Sequence, residues 1–162
     1  LTDPLTGISN RRRIEHMLHM AVDEARRAHR ALTVIMLDID HFKRVNDSHG
    51  HPVGDQVLEQ IVQACQGALR QFDRLGRMGG EEFLVVLPDT DLEGGLQVAE
   101  RLRANVAAAR PTVADVELQL SISLGVAQLR HADTGAASLV RRADAALYHA
   151  KDNGRNRVEA AP

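Results

Sequence analysis

Residues 74–87 read RLGRMGGEEFLVVL. Two short runs, Arg74 to Met78 and Phe83 to Leu87, flank the pair Gly79-Gly80. Glycine reaches positive φ angles without a Cβ clash, and a tight two-residue turn demands such angles, so this stretch predicts a β-hairpin. On its N-terminal side, Leu32 to Ile39 is rich in Val, Ile and Leu and too short for a typical helix, which predicts a buried strand. A polar, glycine-containing stretch follows from Asp40 to Gly54, and an amphipathic helix is expected from Pro52 or Val53 to Arg70. On the C-terminal side, Thr90 and Glu93 form a capping-box pattern ahead of Leu92, Leu96, Ala99, Leu102 and Val106 at helical spacing, with Pro111 beyond the end. Leu118 to Leu129 then holds a further strand, Ser121 to Val126.

The core order is therefore β-α-β-β-α-β, an α+β, ferredoxin-like βαββαβ core with an antiparallel sheet. Additional helices flank it at both ends. One runs from about Asn10 to His29, with Ile14, Leu18, Ala21, Val22 and Ala25 on one face. The other is marked by Leu139, Val140, Ala143, Leu147 and Ala150 and closed by Asn153-Gly154. Right-handed crossovers put the first strand beside the third and antiparallel to it. The end of the first strand, with Asp38 and Asp40, must then lie beside the turn carrying Gly79 to Glu82.

That convergence has chemical content. Asp38 and Asp40 sit two apart on an extended segment, and Glu81 and Glu82 come to the same sheet edge. Clustered carboxylates repel unless a cation resolves them, and hard oxygens suit Mg²⁺ or Mn²⁺, which keep positions for water and phosphate. No Cys/His set has zinc spacing; His49 and His51 lack partners, and His16 and His19 fit an exposed helix face. The glycine pair lets backbone N–H groups approach an anion closely. Together these features point to metal-assisted phosphoryl transfer.

The whole chain bounds the rest. Its 162 residues, 44% hydrophobic and 26% charged, fit one soluble domain spanning 1–162. A net charge of −2 points away from a nucleic-acid polymer or a membrane surface as partner. The first residue is Leu1, and the chain is expected to be a catalytic piece of a longer sensory or regulatory protein. Cys65, alone among Val57, Leu58, Ile61, Val62 and Leu69, reads as a buried core thiol and agrees with a cytoplasmic location.

Motifs in four regions of the chain then resemble one family. Arg77-Met78-Gly79-Gly80-Glu81-Glu82-Phe83 is similar to the GGDEF/GGEEF signature of diguanylate cyclases. Asp3-Pro4-Leu5-Thr6-Gly7 with Asn10-Arg11-Arg12 resembles the family's opening turn. Leu37-Asp38-Ile39-Asp40-His41-Phe42-Lys43, Asn46-Asp47, Gly50-His51 and Gly54-Asp55 resemble its substrate region. Ala143-Asp144-Ala145-Ala146-Leu147-Tyr148, Ala150-Lys151 and Gly154-Arg155-Asn156 resemble its C-terminal block.

The resemblance implies that two GTP condense to cyclic di-GMP with release of two pyrophosphates, at the interface of two facing domains of a homodimer. It implies metal held by Asp38, the Ile39 carbonyl and Glu81, with Glu81 also the base toward the 3′-hydroxyl and Glu82 in support. Lys43 would steady the transition state. Asn46 and Asp55 would read the guanine, with Phe42 and His51 in the same segment, Gly79 and Gly80 at the triphosphate, and Lys151 and Arg155 gripping phosphates. Arg70-Gln71-Phe72-Asp73 stands where many members carry an RxxD site for the inhibitory product, and Arg101 where they place a second arginine. Three other readings stay open on the residues alone: a catalytically silent GTP- or cyclic di-GMP-binding module, a cyclase making an adenine-containing product, and an interaction domain on the same scaffold.

Overall fold

The structure, a computed structural model, describes residues 1–162. Strand β1 (Leu32–Ile39) is its centre, paired antiparallel with β3 (Glu82–Pro88) on one side and β6 (Ile122–Gln128) on the other. Strand β2 (Arg74–Gly79) adds to β3, completing the hairpin, and β7 (Val158–Ala160) adds parallel to β6. The sheet order is β2-β3-β1-β6-β7, so the βαββαβ core and the neighbouring first and third core strands follow the sequence reading.

All eight residues of β1 are buried because helices cover both faces of the sheet. Ile35, Leu37 and Ile39 join a core with α3 (His51–Gln66) and α4 (Leu92–Ala109). Leu32, Val34 and Met36 point the other way, into a second core with α1 (Arg11–Ala28) and α5 (Ala136–Asp152). Side chains alternate along a strand, so Asp38 and Asp40 continue the even-numbered face toward α5. Helix α5 can lie close because Gly125 of β6 has no side chain; a Cβ there would stand 2.2 Å from the Ala143 carbonyl oxygen and the Leu147 amide nitrogen.

Four local readings need correction. Residues of the polar stretch fold as α2 (Phe42–His49), entered through His41 at φ 57° with no side-chain cap. Helix α3 ends at Gln66, short of Arg70. Asp91, not Thr90, caps α4, its Oδ1 accepting from the Gly94 amide at 2.9 Å. Thr90 is unavailable: buried, its hydroxyl donates to the Pro88 carbonyl at 2.8 Å. The hairpin turn falls one residue later than read, since Gly79 pairs with Glu82 and leaves Gly80-Glu81 at the tip. Gly80 takes the left-handed φ of 48° that the tip requires. Two additions, β7 and a small β4–β5 ribbon (Thr112–Val113 with Val116–Glu117), had no reading at all.

Candidate active site

The site forms where the end of β1 meets the hairpin tip. Asp38 stands opposite Glu82 in the β1–β3 register, and the Ile39 amide donates to the Glu81 carbonyl at 3.3 Å. Lys151, in the last turn of α5, donates its ammonium to Asp38 Oδ2. The other oxygen, Asp38 Oδ1, is buried with no hydrogen-bond partner. Burial pushes the Asp38 carboxyl above the usual carboxylate range; Lys151 opposes this, and the negative charges of Glu81 and Asp40 reinforce it. Burial likewise raises Glu82, with Asp144 and Asp38 pushing the same way against Lys151 and Arg11. Asp144, to which the sequence analysis gave no role, is itself raised by burial and held down by Lys151. Lys151 is thus a cation shared among carboxylates from three elements.

A cleft of about 380 Å³ opens beside this centre, walled by Glu81 and by the cations Lys43, Arg44, Lys151 and Arg155. Cationic walls around a carboxylate floor can accept a polyphosphate while orienting a divalent ion beneath it. Phe42 also borders the cleft but is buried in the core. A larger groove, about 910 Å³, lies between α1 and the β2 edge. It is lined by Met17, Met20 and Phe72, and its Glu24 and Asp89 are already paired with Arg27 and Arg30. The chemistry belongs to the smaller cleft.

Asp40 departs from the expected acidic cluster. Its Oδ1 accepts from the Ser123 hydroxyl at 2.7 Å, and its Oδ2 from the Ser121 hydroxyl at 2.7 Å and the Asn156 amide at 3.0 Å. Those bonds leave it committed to the protein. Asp38 and Glu81, with the Ile39 carbonyl on the same strand end, are the groups there that could hold a cation. No three His, Cys, Asp or Glu side chains make a closed cage. Two carboxylates, one with an orphaned buried oxygen, fit a hard ion that completes its shell with water and phosphate oxygens, as Mg²⁺ and Mn²⁺ do.

Asn46, His51 and Asp55 lie outside the cleft lining, where α2 meets α3. Asn46 packs over Gly54, whose added Cβ would come within 1.9 Å of Asn46 Oδ1, which sets Asn46 one residue from the exposed Asp55. Gly79 and Gly80 sit exposed at the tip, with open space where a Cβ would be.

Comparison with known proteins now carries the assignment. Residues 1–157 match the family described as diguanylate cyclase, GGDEF domain. The chain is 45% identical to the diguanylate cyclase DgcP of Pseudomonas aeruginosa over 99% of its own length and 24% of that protein's. Among solved structures it resembles the diguanylate cyclase SiaD of Pseudomonas aeruginosa in complex with its activator SiaC, at TM-score 0.95 and 41% identity, covering 99% of this chain and 61% of that one. It also resembles the GGDEF domain of DgcB from Caulobacter crescentus in complex with c-di-GMP, at TM-score 0.92 and 34% identity, covering 99% and 95% of the two chains. The chain belongs to the GGDEF-domain diguanylate cyclase family. It spans about a quarter to a half of the length of the curated relatives it matches.

In this GGDEF domain the RxxD segment is a closed turn: the Arg70 amide donates to Asp73 Oδ2 at 2.9 Å, and the Asp73 amide to the Arg70 carbonyl at 3.1 Å. Arg101 on α4 reaches across to the Ala68 carbonyl at 3.2 Å, two residues before Arg70. Arg70, Asp73 and Arg101 thus share one surface at the start of β2. The Gly79 end of β2 is about 17 Å away by strand rise, so this surface is separate from the cleft. Cys65 is free and buried, its thiol pushed up to about 12 by burial. No helix is long and apolar enough to cross a membrane.

Proposed function

We propose that this GGDEF domain condenses two GTP into cyclic di-GMP, each domain of a homodimer holding one GTP. The observation that carries the reading is the pairing of Asp38 and Glu81 at one sheet edge, Asp38 with an unpartnered buried oxygen, under a cleft walled by Lys43, Lys151 and Arg155. In each of two successive steps a ribose 3′-oxygen attacks an α-phosphorus, the bond to the β-phosphate bridging oxygen breaks, and pyrophosphate leaves. A divalent ion, when bound, offsets phosphate charge and lowers the pKa of the attacking hydroxyl.

The chain's own residues do the positioning. Asp38, the Ile39 carbonyl and Glu81 hold the ion, and Glu81 takes the proton from the 3′-hydroxyl with Glu82 behind it. Lys43, Lys151 and Arg155 bind phosphate oxygens by charge-assisted bonds and neutralise the transition state. Gly79 and Gly80 let the tip approach the triphosphate. Asn46 and Asp55 accept from the N1–H and N2–H₂ groups of guanine, an edge that adenine lacks, with His51 beside them. The product is two-fold symmetric, so two domains facing each other complete it. Cyclic di-GMP bound at Arg70, Asp73 and Arg101 feeds back on the reaction.

The test is incubation of the purified protein with GTP and Mg²⁺, with and without Asp38→Asn. Cyclic di-GMP and pyrophosphate from the wild type, and neither from the variant, support the reading. Nucleotide binding with no product from a demonstrated dimer would leave only the silent binding module. A forced monomer is expected to bind GTP and make no product. Arg70→Ala is expected to relieve inhibition by added cyclic di-GMP.

A further inference from the structure

Three consecutive residues after α5 have positive φ: Gly154 at 123°, Arg155 at 63° and Asn156 at 46°. For the two that are not glycine, this left-handed backbone is costly and persists only where the surroundings impose it. The clamps are visible. The Arg155 amide donates to the Ala150 carbonyl at 2.9 Å, closing the helix end. The Asn156 side-chain oxygen accepts from Arg103 of α4 at 3.0 Å. The Asn156 amide donates to Asp40 at 3.0 Å, and the Leu124 amide donates to the Arg157 carbonyl at 3.0 Å.

Asp40 is the unusual member of this set. It is 5% exposed, in no ion pair, and held rigidly by Ser121 and Ser123 from the neighbouring strand. A buried carboxylate without a cation is costly unless its bonds serve something. Of the three bonds Asp40 accepts, the one from Asn156 ties it to the loop that carries Arg155, next to the residue itself, and Arg155 lines the cleft beside Lys151 and Glu81.

We infer that Asp40 is a positioning residue: through the Asn156 amide it fixes the strained Arg155–Asn156 backbone, so that the Arg155 guanidinium is already in place for a triphosphate. The two acids of Asp38-Ile39-Asp40 thus divide the labour, the first for the ion and the second for the arginine. The inference rests on the phosphate-binding role proposed for Arg155.

A double-mutant cycle tests it. The affinity for 3′-deoxy-GTP with Mg²⁺, which lacks the attacking hydroxyl and cannot turn over, is measured by calorimetry for wild type, Asp40→Ala, Arg155→Ala and the double variant. Loss of one charge-assisted phosphate contact predicts about a tenfold weakening for each single variant. The double variant is expected to be no weaker than either single one, because Arg155 is lost once in every case. Asp40→Asn should stay close to wild type, since its amide oxygen can take the place of Oδ2 and accept from Asn156 and Ser121 while the Ser123 hydroxyl turns to accept from its nitrogen. Hydrogen exchange at the Asn156 amide should be slow in wild type and Asp40→Asn and fast in Asp40→Ala.

Losses that add in the double variant overturn the inference alone. An Arg155→Ala variant with unchanged affinity removes the phosphate role of Arg155 first, and the inference with it. Should Asp40→Ala not fold, Ser121→Ala, which loosens the same carboxylate oxygen, is expected to weaken binding about threefold, and to do nothing in the Arg155→Ala background; a loss that persists in that background overturns the inference.

Discussion

Helix α5 supplies the cation to two buried carboxylates, Arg142 from its first half to Asp133 and Lys151 from its last turn to Asp38, and the two pairs are finished to different degrees. At its start, Asp133 accepts from Arg142 Nε at 3.0 Å and Arg142 Nη2 at 2.7 Å, from Ser138 at 2.8 Å and from the Arg130 amide at 2.8 Å. Every oxygen is used twice, and hydrogen bonding from Arg142 foremost holds the carboxyl far below the ordinary range despite burial. At its end, Asp38 has Lys151 on one oxygen and nothing on the other, and burial drives its carboxyl upward. A completed pair fixes a corner of the fold. An incomplete one leaves a carboxylate oxygen with lone pairs to offer, which is what the metal-holding role proposed for Asp38 requires.

The largest effect should come from the unfinished pair. Asp38→Asn is expected to lower cyclic di-GMP synthesis by roughly a thousandfold without lowering the thermal midpoint of the metal-free protein; a folded variant with near-normal turnover would break the contrast. Next, Asp133→Ala should cost about 3 kcal/mol of stability, because it strands the Arg142 guanidinium. Urea unfolding measures this, and the folded fraction should retain its turnover. Lys151→Gln is expected to lower turnover about tenfold, since a neutral side chain is a poor phosphate partner, with a far smaller stability loss than Asp133→Ala.

The smallest and sharpest test is pH. Asp133 has a folded pKa below its unfolded value of ~3.9, so its stabilisation is full above about pH 4 and is lost as pH falls from there toward the folded value. Asp38 has the opposite sign. Its folded pKa lies above the unfolded one, so stability falls as pH rises from about 4 through the folded value. In metal-free protein, acidification should shrink the advantage of wild type over Asp133→Asn. It should also shrink the advantage of Asp38→Asn over wild type. Both curves come from chemical unfolding between pH 3 and 7; with each difference taken as wild type minus variant the slopes should have opposite signs, and slopes of the same sign would refute the assignment.

Legibility in the sequence followed the reach of each determinant. Strand β1 was plain because burial on both faces demands an unbroken apolar run, and α1, α4 and α5 because each carries a 3.6-residue stripe. Helix α2 was not, because its eight residues are mostly polar and it starts from a left-handed His41 with no capping side chain. Strand β7 adds three residues whose pairing is all backbone, which leaves no side-chain pattern to read. At the site, the meeting of Asp38 with Glu81 and Glu82 followed from topology, which sequence order fixes. The fate of Asp40 did not, because it depends on Ser121, Ser123 and Asn156, brought in from more than eighty residues away. Asp91 was overlooked for the adjacent Thr90, whose hydroxyl turned out to be spent inside the core.

Gly125 sets the thickness of the layer between sheet and helix. With the α5 backbone resting where a methyl group would go, the distance from sheet to helix axis is at its lower limit, and Lys151 needs that nearness to reach Asp38. A single added carbon at position 125 would act as a wedge, tilting the helix and withdrawing its terminal ammonium from a carboxylate that the new atom never touches. The Lys151–Asp38 pair is thereby sensitive to a position on the neighbouring strand that touches neither side chain.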